Sequence, residues 1–171
     1  MAQQVNNPGL NETERLVFEL CTKSFLSLWS YANPQGKTPG KELCDILVVC
    51  EPDVIIFSVK EVIFAEEGNE EVNQARWFKR AIEDSVKQIY GAERWLNSAS
   101  HVIRKDGTSG LPLPTLAVRR LHRIAVALGG KGKVWKSFGD FGKGFVHVFD
   151  ERSLEVVMSE LDTITDFIKY L

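Results

Sequence analysis

The sequence predicts an α/β protein with a mixed central β-sheet flanked by helices. Three observations carry that expectation. Two Val/Ile-rich runs, 43–50 and 54–64, are joined by the short link Glu51-Pro52-Asp53, which reads as a hairpin turn. Amphipathic helical patterns stand before and after this pair, the later one long. The apolar share, 44% of 171 residues, suffices for a real core and excludes a disordered or collagen-like chain.

Each element follows in order. Residues 1–10 are polar with Asn and Gly-Pro signals and are expected to form a flexible tail, leaving one domain over 11–171. Asn11 with Glu14 three residues later is a capping-box pair, and Leu16, Leu20, Phe25, Leu28 and Trp29 continue a helical stripe to about Ala32. Pro34, Gly36, Pro39 and Gly40 mark a loop. In the second strand of the hairpin, alternation puts Ile56, Ser58 and Lys60 on one face and Phe57, Val59 and Glu61 on the other. A long helix is expected over 69–98, with Trp77, Ile82, Val86 and Ile89 on its apolar side. Gly91 weakens it by about 1 kcal/mol relative to Ala. Strands are expected at 101–104, 121–128 and 145–149, a glycine-rich loop at 129–144, and one closing amphipathic helix at 153–171.

Composition narrows the function classes. With 21 Lys+Arg against 23 Asp+Glu the net charge is -2, which argues against a generally cationic nucleic-acid binder but leaves local patches open. Apolar runs are broken by charge well short of a bilayer span, and no cationic start precedes an apolar stretch, so neither a membrane segment nor a signal peptide is expected. Cys21, Cys44 and Cys50 are odd in number and lack C-x-x-C spacing, as expected of reduced thiols in a cytoplasmic protein. His101, His122 and His147 have no metal-ligand spacing, and both lysine-glycine stretches (36–38 and 129–133) fail the phosphate-loop pattern.

The chemistry concentrates around the hairpin. Asp45 stands near the start of its first strand, and Lys60 emerges from an otherwise apolar second strand. A lysine there is unfavourable unless it reaches solvent or has a purpose. A carboxylate and an ammonium converging from neighbouring strands suit a divalent metal and a water or phosphate respectively.

In these residues the sequence resembles the PD-(D/E)XK nuclease superfamily, whose members share a restriction-endonuclease-like core. In that family a helix carrying a glutamate precedes a strand with the Asp, followed by a strand ending in (D/E)-x-Lys. The resemblance covers roughly residues 11 to 98. It implies Glu14, Asp45 and Lys60 as catalytic or metal-binding residues, Mg²⁺ or Mn²⁺ as cofactor, and hydrolysis of phosphodiesters in DNA, in restriction, repair or defence. It also implies Gln88 and Tyr90 at the position of a Gln/Tyr motif, with Gln88 contacting the nucleic acid. The departure is Ser58, where the pattern wants Asp or Glu. Serine is a poor ligand for a hard cation, so Ser58 is expected in the catalytic set with a weak or water-mediated contact at most. Either Glu14 or Glu42 supplies the missing carboxylate, or the chain is a catalytically inactive nuclease-fold module that binds nucleic acid or a protein.

Charge supports a nucleic-acid partner. Residues 41–71 are rich in Asp and Glu, whereas 118–143 carry Arg119, Arg120, Arg123, Lys131, Lys133, Lys136 and Lys143. An acidic edge beside a basic glycine-rich loop is what a nuclease needs. Each residue also has a plain structural reading: Glu14 as a cap, Asp45 as an ion-pair partner, Lys60 as a snorkelling side chain, the lysines as a solvated loop. A third reading is an interaction protein. There the stripe Val156, Val157, Leu161, Ile164, Phe167 and Ile168 would meet a partner, such as a second copy or a C-terminal domain absent from this chain.

Overall fold

A computed structural model describes residues 11–25, 27–133, 138–161 and 163–171. The expected tail (1–10) and Lys136 lie outside the described residues. The elements run α1 (Glu12–Phe25), β1 (Ser30–Ala32), β2 (Ile46–Cys50), β3 (Asp53–Glu61), α2 (Glu70–Phe78), a π-helical turn (Lys79–Glu83), α3 (Asp84–Leu96), β4 (His101–Ile103), β5 (Ser109–Pro112), β6 (Arg120–Leu128), β7 (Phe138–Asp140), β8 (Phe145–Phe149), α4 (Glu151–Glu160) and α5 (Ile164–Tyr170).

The six-stranded sheet has the order β1-β2-β3-β6-β8-β7. Its first two pairings and its last are antiparallel, whereas β3, β6 and β8 run parallel. The mixed sheet flanked by helices is therefore the predicted class. The parallel β3–β6 step requires a crossover, and α2–α3 supplies it.

Strand alternation divides the core into two layers. Leu47, Val49, Val54, Ile56, Ala125 and Ala127 meet the α2–α3 side through Trp77, Ile82, Val86 and Ile89. Ile46, Val48, Ile55, Phe57, Ile124 and Val126 meet α1, α4 and α5 through Val17, Phe25, Leu154 and Phe167. Each fully buried aliphatic or aromatic side chain here contributes about 1.5–3 kcal/mol through removal from water.

Several expectations are corrected. The first helix stops at Phe25, and Ser30–Ala32 is an edge strand whose neighbour Leu28 is 65% exposed, outside the apolar stripe assigned to it. The glycine-rich 129–144 segment contains β7, and Ser109–Pro112 pairs with β4 in a separate two-stranded sheet. The closing helix is two. Asp150 and Ser153 form a capping box for α4, and the Thr163 side chain caps α5 by accepting the Asp166 N–H. The stripe proposed for a partner packs on the sheet instead: Ile164 and Phe167 are buried, and Val157, Leu161 and Ile168 pack against them. Val156 is exposed. Among the described residues no helix is long and apolar enough to cross a membrane.

Candidate functional site

The β2–β3 register pairs Ile46 with Phe57, so the next step beyond the end of β2 brings Asp45 beside Ser58 and Val59. There the side chain takes over from the backbone. Asp45 Oδ2 accepts the Val59 N–H at 2.5 Å, and Asp45 itself is buried. Its other oxygen, Oδ1, accepts from Gln88 Nε2 at 3.1 Å. Gln88 comes from α3, and its Oε1 accepts the Ser58 hydroxyl proton at 2.9 Å. The carboxylate needs a donor and the hydroxyl supplies one, so this bridge fixes the orientation of the amide. Ser58 is fully buried, where an unbonded hydroxyl would be costly.

Charges gather around this bridge. Burial raises the Glu14 carboxyl above its usual value; the Asn11 backbone opposes that rise, the Asp45 and Glu42 charges add to it, and Lys60 opposes it. The buried Cys44 thiol is pushed up by burial first and then by the same Asp45 and Glu42 charges. Lys60 shares the Ser58 face, is half-exposed, and forms no ion pair within 4.0 Å among the described residues. Glu61 points to the other face, where it accepts from the Thr13 hydroxyl on α1. Glu14, Asp45, Glu42 and Lys60 thus lie within electrostatic reach of one another near the carboxyl end of β3, with Ser58 and Gln88 bonded to one another and to Asp45 there, the end where open α/β sheets place their ligands.

Two of these residues also have complete structural explanations. The Glu14 oxygens accept from the Asn11 N–H at 3.1 Å and the Asn11 amide at 2.8 Å, while Asn11 Oδ1 accepts the Glu14 N–H at 2.8 Å. Asp45 has both carboxylate oxygens occupied, as described. Among the described residues no group of three or more His, Cys, Asp or Glu side chains could hold a metal ion.

The basic residues fall elsewhere. Arg120 pairs in register with Asp53 and Ala125 with Ser58, so five residues, about 17 Å at the strand rise, separate Arg120 from the bridge. Arg120 makes a bidentate contact with Asp53 at 2.8 and 2.6 Å, and His122 adds a contact to the same carboxylate at 2.8 Å. Arg123 holds Glu93 in the same bidentate way. The Arg119 guanidinium collects the carbonyls of Pro114, Leu96 and Ala99, closing the end of α3. Lys131 and Lys133 do sit beyond the carboxyl end of β6, but pair with Glu66 at 2.8 Å and Glu70 at 2.6 Å. The acidic and basic segments therefore largely engage one another. Tyr90, expected beside Gln88, turns away and donates to the Gly144 carbonyl at 2.7 Å.

Sequence reasoning passed over the cleft beside the bridge. A cavity of about 380 Å³ lies between α3 and the 36–43 loop, with Gln88, Glu42, Lys37, Lys41 and Arg94 in its wall. A second, of about 470 Å³, shares Arg94 and includes Lys87, Tyr90, Phe141 and Lys143. The signal in the sequence is Lys37 and Lys41, four residues apart in a Pro/Gly loop, a spacing that no phosphate-loop pattern contains. Among known proteins, no family model matches this chain, and neither a curated protein nor a solved structure matches it significantly.

Proposed function

We propose that the chain is a PD-(D/E)XK-type nuclease that hydrolyses DNA phosphodiesters with Mg²⁺ or Mn²⁺. The observation that supports it is the meeting of Asp45, Lys60, Glu14 and Glu42, from three separated parts of the sequence, at one end of a mixed sheet. The order helix with Glu14, strand flanked by Asp45, hairpin partner with Lys60 is the order the resemblance implies.

Magnesium commonly keeps several waters and takes only one or two protein carboxylates together with substrate phosphates, so a three-acid cluster is not required. Asp45 Oδ1 is the oxygen suited to a cation, because its protein partner is the longer 3.1 Å amide contact. Glu14 or Glu42 would add the second carboxylate. The cation would supply charge neutralisation and a more acidic water. Lys60, whose ammonium pairs with no carboxylate among the described residues, would orient that water or stabilise charge on the phosphate. Ser58 would act through Gln88, holding the amide that positions Asp45.

One observation favours a second reading, a nuclease-fold module that binds nucleic acid without cutting it: the hydrogen bonds of Asp45 are already complete within the protein. A cleavage assay separates the two. Supercoiled, linear and single-stranded DNA are incubated with Mg²⁺ and with Mn²⁺, using wild type, Asp45→Asn and Lys60→Ala of verified fold. The hydrolytic reading expects metal-dependent cutting, reduced about 10²–10³-fold or more in each variant. Folded wild type that leaves every substrate intact selects the binding module, and cutting that survives both substitutions refutes the assigned site.

A further inference from the structure

We infer that the phosphodiester backbone of DNA is held in the groove along the exposed side of α3, by Lys37, Lys41, Arg94 and Lys143, and not by the β6 arginines or the lysines that follow them. The inference rests on nucleic acid being the ligand, as in both readings above, but not on catalysis.

The two cavities share Arg94 in their walls, and a track laid across both would pass Gln88, whose amide touches Asp45. Lys37, Lys41, Arg94 and Lys143 are all exposed, and none pairs with a carboxylate among the described residues. The remaining lysine of the track, Lys87, is held by Asp84 at 2.9 Å, and the wall acids are Glu42 and Glu83. Every β6 arginine, and Lys131 and Lys133, is committed to a carboxylate or to carbonyls. A phosphate would have to displace those partners first. Cations without partners bind a polyanion by releasing its counterions alone.

The loop that carries Lys37 and Lys41 is also built to hold them in place. The Gly36 N–H donates to the Lys41 carbonyl at 2.8 Å, and the Lys41 N–H donates to the Thr38 carbonyl at 3.0 Å. Gln35 staples the loop from inside: its Oε1 accepts the Gly40 N–H at 3.0 Å, and its Nε2 donates to the Lys105 carbonyl at 2.8 Å. Gly40 takes φ +76°, a conformation suited to glycine. On the far side, Asp140 Oδ1 accepts the N–H groups of Gly142 and Gly144, closing the turn that carries Lys143. Two stapled turns present cations on the two flanks of the exposed face of α3, which lowers the ordering cost of binding.

The test compares two charge-matched double variants, Lys37→Ala/Lys41→Ala and Lys131→Ala/Lys133→Ala. Arg94→Ala is measured beside them, all with thermal melts to verify folding. Binding of a short labelled DNA duplex, and of its separated strand, is followed by fluorescence anisotropy in EDTA from about 50 to 200 mM salt. The expected result is at least a tenfold loss of affinity in the first pair, with the salt slope reduced by about 2, one for each phosphate contact removed. Arg94→Ala should reduce it by about 1, and the second pair should bind as wild type does. Equal losses in both pairs, an unaffected first pair, or wild type that binds neither probe at low salt would overturn the inference. Because EDTA removes catalysis, the two readings fail separately. DNA left intact by Mn²⁺-loaded protein, with binding still lost in the groove variants, rejects hydrolysis and upholds the groove.

Discussion

Asp45 Oδ2 accepts the Val59 N–H at 2.5 Å, continuing the β2–β3 ladder by a side chain where the backbone of β2 has turned away. Both residues are buried, so this carboxylate supports the sheet whatever else it does. Structural and chemical roles therefore overlap at one residue, and substitutions there must separate them.

Asp45→Ala should be the wrong probe of chemistry. It strands the Val59 N–H and the Gln88 amide, each a group whose unmet hydrogen bond costs about 1–3 kcal/mol. Asp45→Asn keeps one oxygen for Val59, and Gln88 can flip to offer its own oxygen to the new amide. Urea unfolding should show the Ala variant destabilised by roughly 2–4 kcal/mol and the Asn variant by markedly less. Equal losses would mean that the ladder contact carries little stability.

Ser58→Asp restores the acid that the family pattern wants. The new carboxylate would be buried beside Asp45, an unpaired like-charge arrangement costing several kcal/mol. The variant should melt well below wild type in EDTA. Mn²⁺ at a hundredfold excess over its Kd would return about 2.7 kcal/mol of stability and raise the cutting rate. A melting curve indifferent to Mn²⁺ would show that these positions do not form a cation site.

Arg119 is a brace between elements. Its guanidinium ties the carbonyls of Leu96 and Ala99, at the end of α3, to Pro114 ahead of β6. Arg119→Ala should destabilise by roughly 2–3 kcal/mol, since several part-buried carbonyls lose a charged donor at once. Arg119→Lys should recover little, because an ammonium lacks the planar fork that reaches three carbonyls. DNA affinity should stay at the wild-type value. A weakened affinity with unchanged stability would return Arg119 to the nucleic-acid interface.

What the sequence made legible was periodicity. The alternation that put Ser58 and Lys60 on one face and Glu61 on the other is what the two core layers require, and the Asn11–Glu14 cap is formed as its spacing predicted. Three-residue strands such as Ser30–Ala32 and Phe138–Asp140 are too short to show a period; the sheet edge defines them, not their own residues. Thr163 was hidden as a helix boundary because the apolar spacing runs on through it. Charge was the most misleading signal. A basic segment looks free in sequence, yet Lys131 and Lys133 meet Glu66 and Glu70 more than sixty positions away. Only the parallel β3–β6 pairing brings them together. Gln88 was expected at the nucleic acid; the distance between helix and strand that makes it a bridge from Ser58 to Asp45 exists only in the fold.

The cluster of Asp53, Arg120 and His122 should govern the acid limb of stability. Burial alone would raise the Asp53 carboxyl, but the hydrogen bonds and charges of Arg120 and His122 outweigh it and hold it below the usual 3.8. A depressed carboxyl binds its proton more weakly in the folded than in the unfolded chain, so its contribution is complete above pH 3.8 and is lost as pH falls through the lower folded value. Glu14 works in the opposite sense. Its raised carboxyl favours the folded state below pH 4.5, and that contribution disappears as pH rises through the folded value. Asp53→Asn should therefore lower stability at neutral pH and flatten the loss below pH 3.8, whereas Glu14→Gln should alter the slope just above pH 4.5. Unfolding midpoints measured from acid to neutral pH distinguish them. An Asp53→Asn curve parallel to wild type throughout would mean that this cluster holds the strand ends by shape and not by charge.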